Sequence, residues 1–299
     1  MRTTIIFLFS IFLFISFSEP RKVKNEGADN DFSFIFMTDI HLKPEWGSLK
    51  AFRMAIDTAN KLNADFVLTG GDLIYDALRG NFERSDSLFE LYKNTITEFK
   101  IPVYNCIGNH ELFGIYEGSD VDSTHPDYKF GMYERYFGDL YYSFDHKDWH
   151  FIVLNSLETE NKKYIGKFGN EQLNWIKEDL SKISHSTPIC IILHIPLITV
   201  YDLYFPKTDD AKIVDNNIED KKELLELFYN YNLRLVLQGH YHWIEDINVL
   251  NKTRFITGGS IAGRPSWRDT TTGEEGFMLF NIKEGEISWE YIDYGWDVE

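Results

Sequence analysis

The chain has 299 residues, 43% hydrophobic and 26% charged, and its 30 Lys and Arg stand against 47 Asp and Glu for a formal net charge of −17. This aromatic-rich composition excludes a disordered or collagen-like chain, and 2 cysteines cannot build a disulfide framework. The acidic balance argues against general affinity for a nucleic-acid backbone or an anionic membrane surface, so any phosphate-bearing ligand would need a local positive centre.

At the N-terminus, Arg2 precedes an apolar run from Ile5 to Phe17 broken by Ser10 and Ser16, with Glu19 and Pro20 after it. This reads as a secretory signal peptide over residues 1–18, since the run falls short of the roughly 20 residues that a spanning helix needs. An exported protein, periplasmic or extracellular, with no transmembrane span in the mature chain is expected. Residues 19–31 read as a flexible lead-in and 32–299 as a single domain.

From there, short apolar runs alternate with amphipathic ones, the pattern of βαβ units around a largely parallel sheet. Strands are predicted over 33–37, 64–69 and 102–107, with helices over 49–62 and 84–99 between them. Residues 111–139 read as a long aromatic loop. An antiparallel pair follows over 141–144 and 149–155. The next helix has Asn170 as its N-cap and Leu173, Ile176 and Leu180 on one face. A strand over 188–193, a loop to about 217, a helix over 221–229 and a strand over 234–237 precede a strand-rich C-terminal part.

The polar residues concentrate where these strands end: Asp39 and His41, Gly71-Asp72, Gly108-Asn109-His110-Glu111, His194, and Gly239-His240-Tyr241-His242. In open α/β sheets the ligand crevice lies outside the carboxyl ends of the strands, so these side chains should converge. Imidazole and carboxylate without thiolate suit two divalent or trivalent ions of the Mn, Fe or Zn kind. The i, i+2 spacing of Asp39 with His41 and of His240 with His242 would aim each pair to one side of an extended segment. Asp72 is placed to bridge two metals, and glycines before Asp72, Asn109 and His240 would let backbones approach closely.

The ordered set Asp-x-His, Gly-Asp, Gly-Asn-His-Glu, His and Gly-His-x-His resembles the calcineurin-like metallophosphoesterase superfamily. The resemblance implies an α/β fold of two mixed β-sheets packed face to face with helices outside, a four-layer sandwich. It implies one metal on Asp39, His41, Asp72 and His242 and another on Asp72, Asn109, His194 and His240. A bridging hydroxide would attack a small phosphate ester, and His110 would protonate the leaving group. Gly-Asp-x-x-Tyr is also similar to purple acid phosphatases, whose tyrosine binds iron, but His41 already takes the place Tyr75 would fill. Serine/threonine phosphatases carry an orienting Asp where this chain has Tyr75, and the nearest substitute is Asp76. Tyr75, Asp76, Arg264 and Arg268 are thus the candidates for binding substrate or orienting His110.

His125, His146, His150 and His185 read as surface or loop residues, and Cys106 and Cys190 as buried thiols in strands. Trp46, Phe113, Tyr116, Tyr128, Phe130 and Tyr133 would either pack loops or line a cleft for a base or sugar. A nuclease on the same fold, and a non-catalytic binding protein, are the alternatives to a small-ester phosphoesterase.

Overall fold

Strand β1 (Phe32–Met37) is buried along its length apart from Ser33, and its alternate residues face two different cores, Phe34 and Phe36 one and Ile35 and Met37 the other. Only a strand inside a layered sheet is buried on both faces. The computed structural model, which describes residues 30–204, 217–262 and 275–296, shows those layers.

In chain order, α1 (Ser48–Ala59), β2 (Phe66–Thr69), α2 (Phe82–Thr95), β3 (Val103–Tyr104) and α3 (Gly131–Phe137) follow β1. Next come β4 (Tyr142–His146), β5 (Trp149–Val153), β6 (Leu157–Glu160), β7 (Lys163–Gly166), α4 (Gly169–Leu180), β8 (Pro188–Ile192) and α5 (Tyr201–Tyr204). The chain continues with α6 (Lys221–Leu227), β9 (Asn232–Gln238), β10 (Glu245–Val249), β11 (Thr253–Thr257), β12 (Gly276–Lys283) and β13 (Glu286–Asp293).

Among the described residues, one sheet has the order β13-β12-β1-β2-β3 and the other β10-β11-β9-β8-β5-β4. Both are mixed: β1, β2 and β3 run parallel, as do β5, β8, β9 and β11, and antiparallel pairing closes every edge except that of β3. The sheets pack through an aromatic layer in which Phe34 stacks on Phe66 and Phe280 at 5.4 and 4.9 Å and meets Phe151 edge-on at 5.7 Å. Each such pair contributes about 0.5–1.5 kcal/mol beyond burial. The helices cover the outer faces, α1 through Ala51, Phe52, Ala55 and Ile56 and α4 through Ile176 and Leu180. This is the face-to-face sandwich the resemblance implied.

Several local expectations are corrected. The aromatic stretch 111–139 contains α3, which buries Met132 and Tyr133. Beyond Tyr104 the third strand leaves the ladder, because Thr69 Oγ1 accepts the Cys106 N–H at 3.1 Å and the Asn105 carbonyl accepts the hydroxyls of Tyr133 and Tyr142. The hairpin β6–β7 was not anticipated. Helix α4 starts one residue before Asn170, and its first N–H groups go to Asp220, whose carboxylate accepts from Phe168 and Gly169 at 2.9 and 2.8 Å. His150 is buried, with Nδ1 on Asp145 at 2.7 Å and Nε2 on Asp179 at 2.9 Å. Cys106 and Cys190 are buried free thiols. The segments 1–18 and 19–29 lie outside the described residues, as does most of the loop before 217.

Candidate metal centre

The first sheet supplies Asp39 and His41 just after β1, Asp72 after β2 and Asn109 after β3. The second supplies His194 after β8 and His240 and His242 after β9. The paired residues do not lie on extended backbone: Asp39, His41, Asp72, His240 and His242 take φ of 53°, 49°, 51°, 77° and 54°. Asp and His are among the few side chains that tolerate this left-handed region, and here it turns them into the crevice. The turns are tied to each other, Asp39 N–H donating to the Gly71 carbonyl at 3.0 Å and His41 N–H to that of Asp72 at 2.9 Å. At Gly71 (φ 90°) a Cβ would stand 2.8 Å from the Gly108 Cα, so the Asp72 and Asn109 turns approach only without side chains between them.

The donor atoms then crowd together. His41 Nε2 lies 3.0 Å from His242 Nε2, and His242 Nε2 lies 3.2 Å from Asp39 Oδ1. His194 donates through Nδ1 to the Gly70 carbonyl at 2.7 Å, which turns its Nε2 inward, 3.0 Å from Asn109 Oδ1, 3.2 Å from His240 Nδ1 and 3.3 Å from Asp72 Oδ2. Asp72 Oδ2 also lies 3.9 Å from the Nε2 atoms of both His41 and His110, so Asp72 shares one cluster of donors with His41 and His110 and another with His194 and His240. Burial works to lower His194, but the Asp72 carboxylate carries it up to about 9. Burial likewise opposes ionisation of Asp72, yet His194 and His110 hold its carboxyl well below the usual range. Burial and then His194 push His240 down to about 3, and burial with His110 pushes His41 down. The neighbouring carboxylates of Asp72 and Asp39 thus favour positive charge at His194. Inward-facing imidazole nitrogens and carboxylate oxygens with a carbonyl fixing one tautomer fit metal ions of the transition series.

The model of the calcineurin-like phosphoesterase family matches residues 32–243. The chain belongs to this family. It is similar to the serine/threonine-protein phosphatase CPPED1 of Pongo abelii, 29% identical over 204 residues that cover 66% of this chain and 60% of that protein. It is also similar to purple acid phosphatase 23 of Arabidopsis thaliana, 28% identical over 154 residues covering 50% of this chain and 30% of that one. The matches therefore span less than two thirds of these relatives' own length. In fold it is similar to a dimetal phosphatase from Danio rerio, with a TM-score of 0.61 at 16% identity, covering 87% of this chain and 95% of that one.

Within this phosphoesterase fold, His110 stands at the edge of the donor set. Its N–H donates to Asp72 Oδ1 at 2.9 Å, and its Nδ1 meets the backbone carbonyl of Tyr75. Asp76, the expected orienting partner, is engaged elsewhere: its carboxylate accepts the Leu78 N–H at 2.9 Å and pairs with Arg79 at 3.7 Å. Tyr75 turns its ring toward Lys43 and His110. Arg264 and Arg268 lie outside the described residues. Sequence reasoning missed Glu111, although it ends the Gly-Asn-His-Glu motif. Its buried carboxylate accepts the N–H groups of Asp72 (3.0 Å), Ile74 (3.0 Å) and Gly108 (2.7 Å), clamping two ligand-bearing turns together. Burial and the neighbouring Asp72 push it up to about 8.

Proposed function

We propose that this calcineurin-like phosphoesterase is a metal-dependent hydrolase of a small phosphate ester, a phosphomonoesterase or phosphodiesterase with a dinuclear centre. The observation that carries it is the convergence of nitrogen and oxygen donors on Asp72, with donors drawn from both sheets. Asp39, His41, Asp72 and His242 would hold one ion, and Asp72, Asn109, His194 and His240 the other. Metal ions held there would supply Lewis acidity, lowering the pKa of water and offsetting the charge of the phosphoryl oxygens.

The remaining work falls to the chain's own groups. The Tyr75 carbonyl accepts the Nδ1–H of His110, which leaves Nε2 facing the crevice, and with both ring nitrogens protonated the imidazolium would donate its Nε2–H to a leaving oxygen. Asn109 brings an acceptor without charge, which leaves the centre able to attract a phosphate despite a chain charge of −17. That overall charge favours small esters over long nucleic acid. The apolar run 5–17 supports export, which would set the reaction outside the cytoplasm.

Metal analysis combined with hydrolysis of p-nitrophenyl phosphate and bis-p-nitrophenyl phosphate tests the proposal. At least one tightly held transition metal is expected, with metal and activity both lost in Asp72→Ala. A protein that stays metal-free and inert under Mn²⁺ supplementation would overturn it.

A further inference from the structure

The stretch after His194 and helix α6 border a second hollow, a cavity of about 780 Å³ that none of the candidate metal ligands lines. Its size is that of a small-molecule site, for which roughly 300–1,000 Å³ is usual. Leu197, Ile198, Leu225, Tyr229 and Tyr241 give it an apolar lining, and Tyr229 leaves its ring 79% exposed. The backbone of the first wall is already engaged. The Leu197 and Ile198 N–H groups donate to Gln238 Oε1 at 2.8 and 3.3 Å, and Gln238 Nε2 donates back to the Ile198 carbonyl at 3.0 Å. Polar recognition therefore falls to side chains, and the cations among those that line the cavity are Lys221 and Lys222.

The acidic neighbours of these lysines are turned elsewhere. Glu219 pairs with Lys167 at 2.9 Å, Asp220 accepts the Phe168 and Gly169 N–H groups, and Glu223 lies outside the lining. Glu226, which does line it, pairs with Lys222 at 3.7 Å. Lys221 instead donates to the neutral Asn217 Oδ1 at 2.6 Å, and an ammonium has two further N–H groups to give. An apolar hollow bordered by one ammonium without a carboxylate partner is complementary to an aliphatic body carrying a single negative charge. We propose that this cavity binds an amphiphilic monocarboxylate of the medium-chain fatty-acid type, its carboxylate on Lys221 and its chain along Leu197, Leu225 and Tyr229. With a net charge of −17 the surface as a whole repels anions, so the pairing is local to Lys221. Such a molecule carries no phosphate ester: it is a ligand and not a substrate, and the inference stands apart from the phosphoesterase reading.

Isothermal titration calorimetry with decanoate tests the site in the full chain supplied with Mn²⁺, in wild type, Lys221→Glu, Lys221→Arg and Asp72→Ala, with circular dichroism on each to confirm the fold. Wild type should bind decanoate, and should bind decyltrimethylammonium, of equal chain length and opposite charge, about tenfold more weakly or worse. Lys221→Glu should lose about tenfold or more in decanoate affinity, whereas Lys221→Arg, which keeps the charge, should stay within about threefold of wild type. Asp72→Ala should bind decanoate as wild type does. No binding to wild type, equal affinity in Lys221→Glu, or a preference for the cation overturns the site. Affinity lost in Asp72→Ala also overturns it, by placing the carboxylate on the metal centre. None of these results touches the phosphoesterase reading, and a failure to hydrolyse any ester would leave this site standing.

Discussion

His110 and Glu111 are adjacent in sequence and do opposite things: one faces the crevice, the other turns away to bind backbone. Replacing His110 by Asn should lower kcat by about 100-fold on an alkyl phosphate. The loss should be much smaller on p-nitrophenyl phosphate, whose leaving group departs without a proton, and metal content should stay at the wild-type level. Glu111→Ala strands three buried N–H groups, each costing about 1–3 kcal/mol, so its denaturation midpoint should fall sharply. Glu111→Gln, which keeps one carbonyl acceptor, should recover part of that loss. The residue types of the centre were legible because they follow strands in a fixed order. The contacts of Glu111 and His110 were not, because they run to backbone atoms such as Tyr75 O, far away in sequence and set by tertiary geometry. The left-handed φ of Asp39 and His41 was equally hidden, since i, i+2 spacing reads the same in an extended chain.

Helices α2 and α3 are joined by Arg135, which reaches Asp86 at 2.7 Å and Asp127 at 2.9 Å, with the Tyr136 hydroxyl also donating to Asp86. Burial works to raise Asp86, but Arg135 and Tyr136 hold its carboxyl below the ordinary 3.8. A lowered carboxyl stabilises the fold fully above that ordinary value and ceases to as pH falls through the lowered one. Wild type should therefore exceed Asp86→Asn in denaturation free energy by about 1 kcal/mol at pH 6, and the two should converge below pH 3.8. Helix α3 itself escaped sequence reading because it is only 7 residues long, Gly131–Phe137, opens on a glycine and sits inside an aromatic-rich stretch, so the helical spacing of Met132, Tyr133, Tyr136 and Phe137 spans too few turns to stand out. The hairpin β6–β7 escaped for a different reason: its turn places Asn161 and Lys162 at φ 49° and 57°, the two left-handed positions that Asn-Gly ordinarily advertises, without the glycine. The start of α4 was misread because its capping carboxylate, Asp220, comes from another part of the chain. Strands β1, β2 and β8 were legible, since continuous apolar runs bounded by turn residues have few other homes.

At the scale of the molecule, the donors of the candidate centre are divided between the sheets, Asp39, His41, Asp72 and Asn109 on one and His194, His240 and His242 on the other. Chelation should lower the thermal midpoint, and readdition of Mn²⁺ at about 100 times its dissociation constant should restore about 2.7 kcal/mol. An unmoved midpoint on chelation would mean that the ions add nothing to the fold. The division also has a consequence for assembly. Neither sheet can bind the ions well by itself, so high-affinity coordination reports that the aromatic seam between them has closed in register. A slip of one sheet over the other would disperse the ligands while leaving each sheet's own ladder whole. Metal capture would thus act as a check on the docking of the two layers.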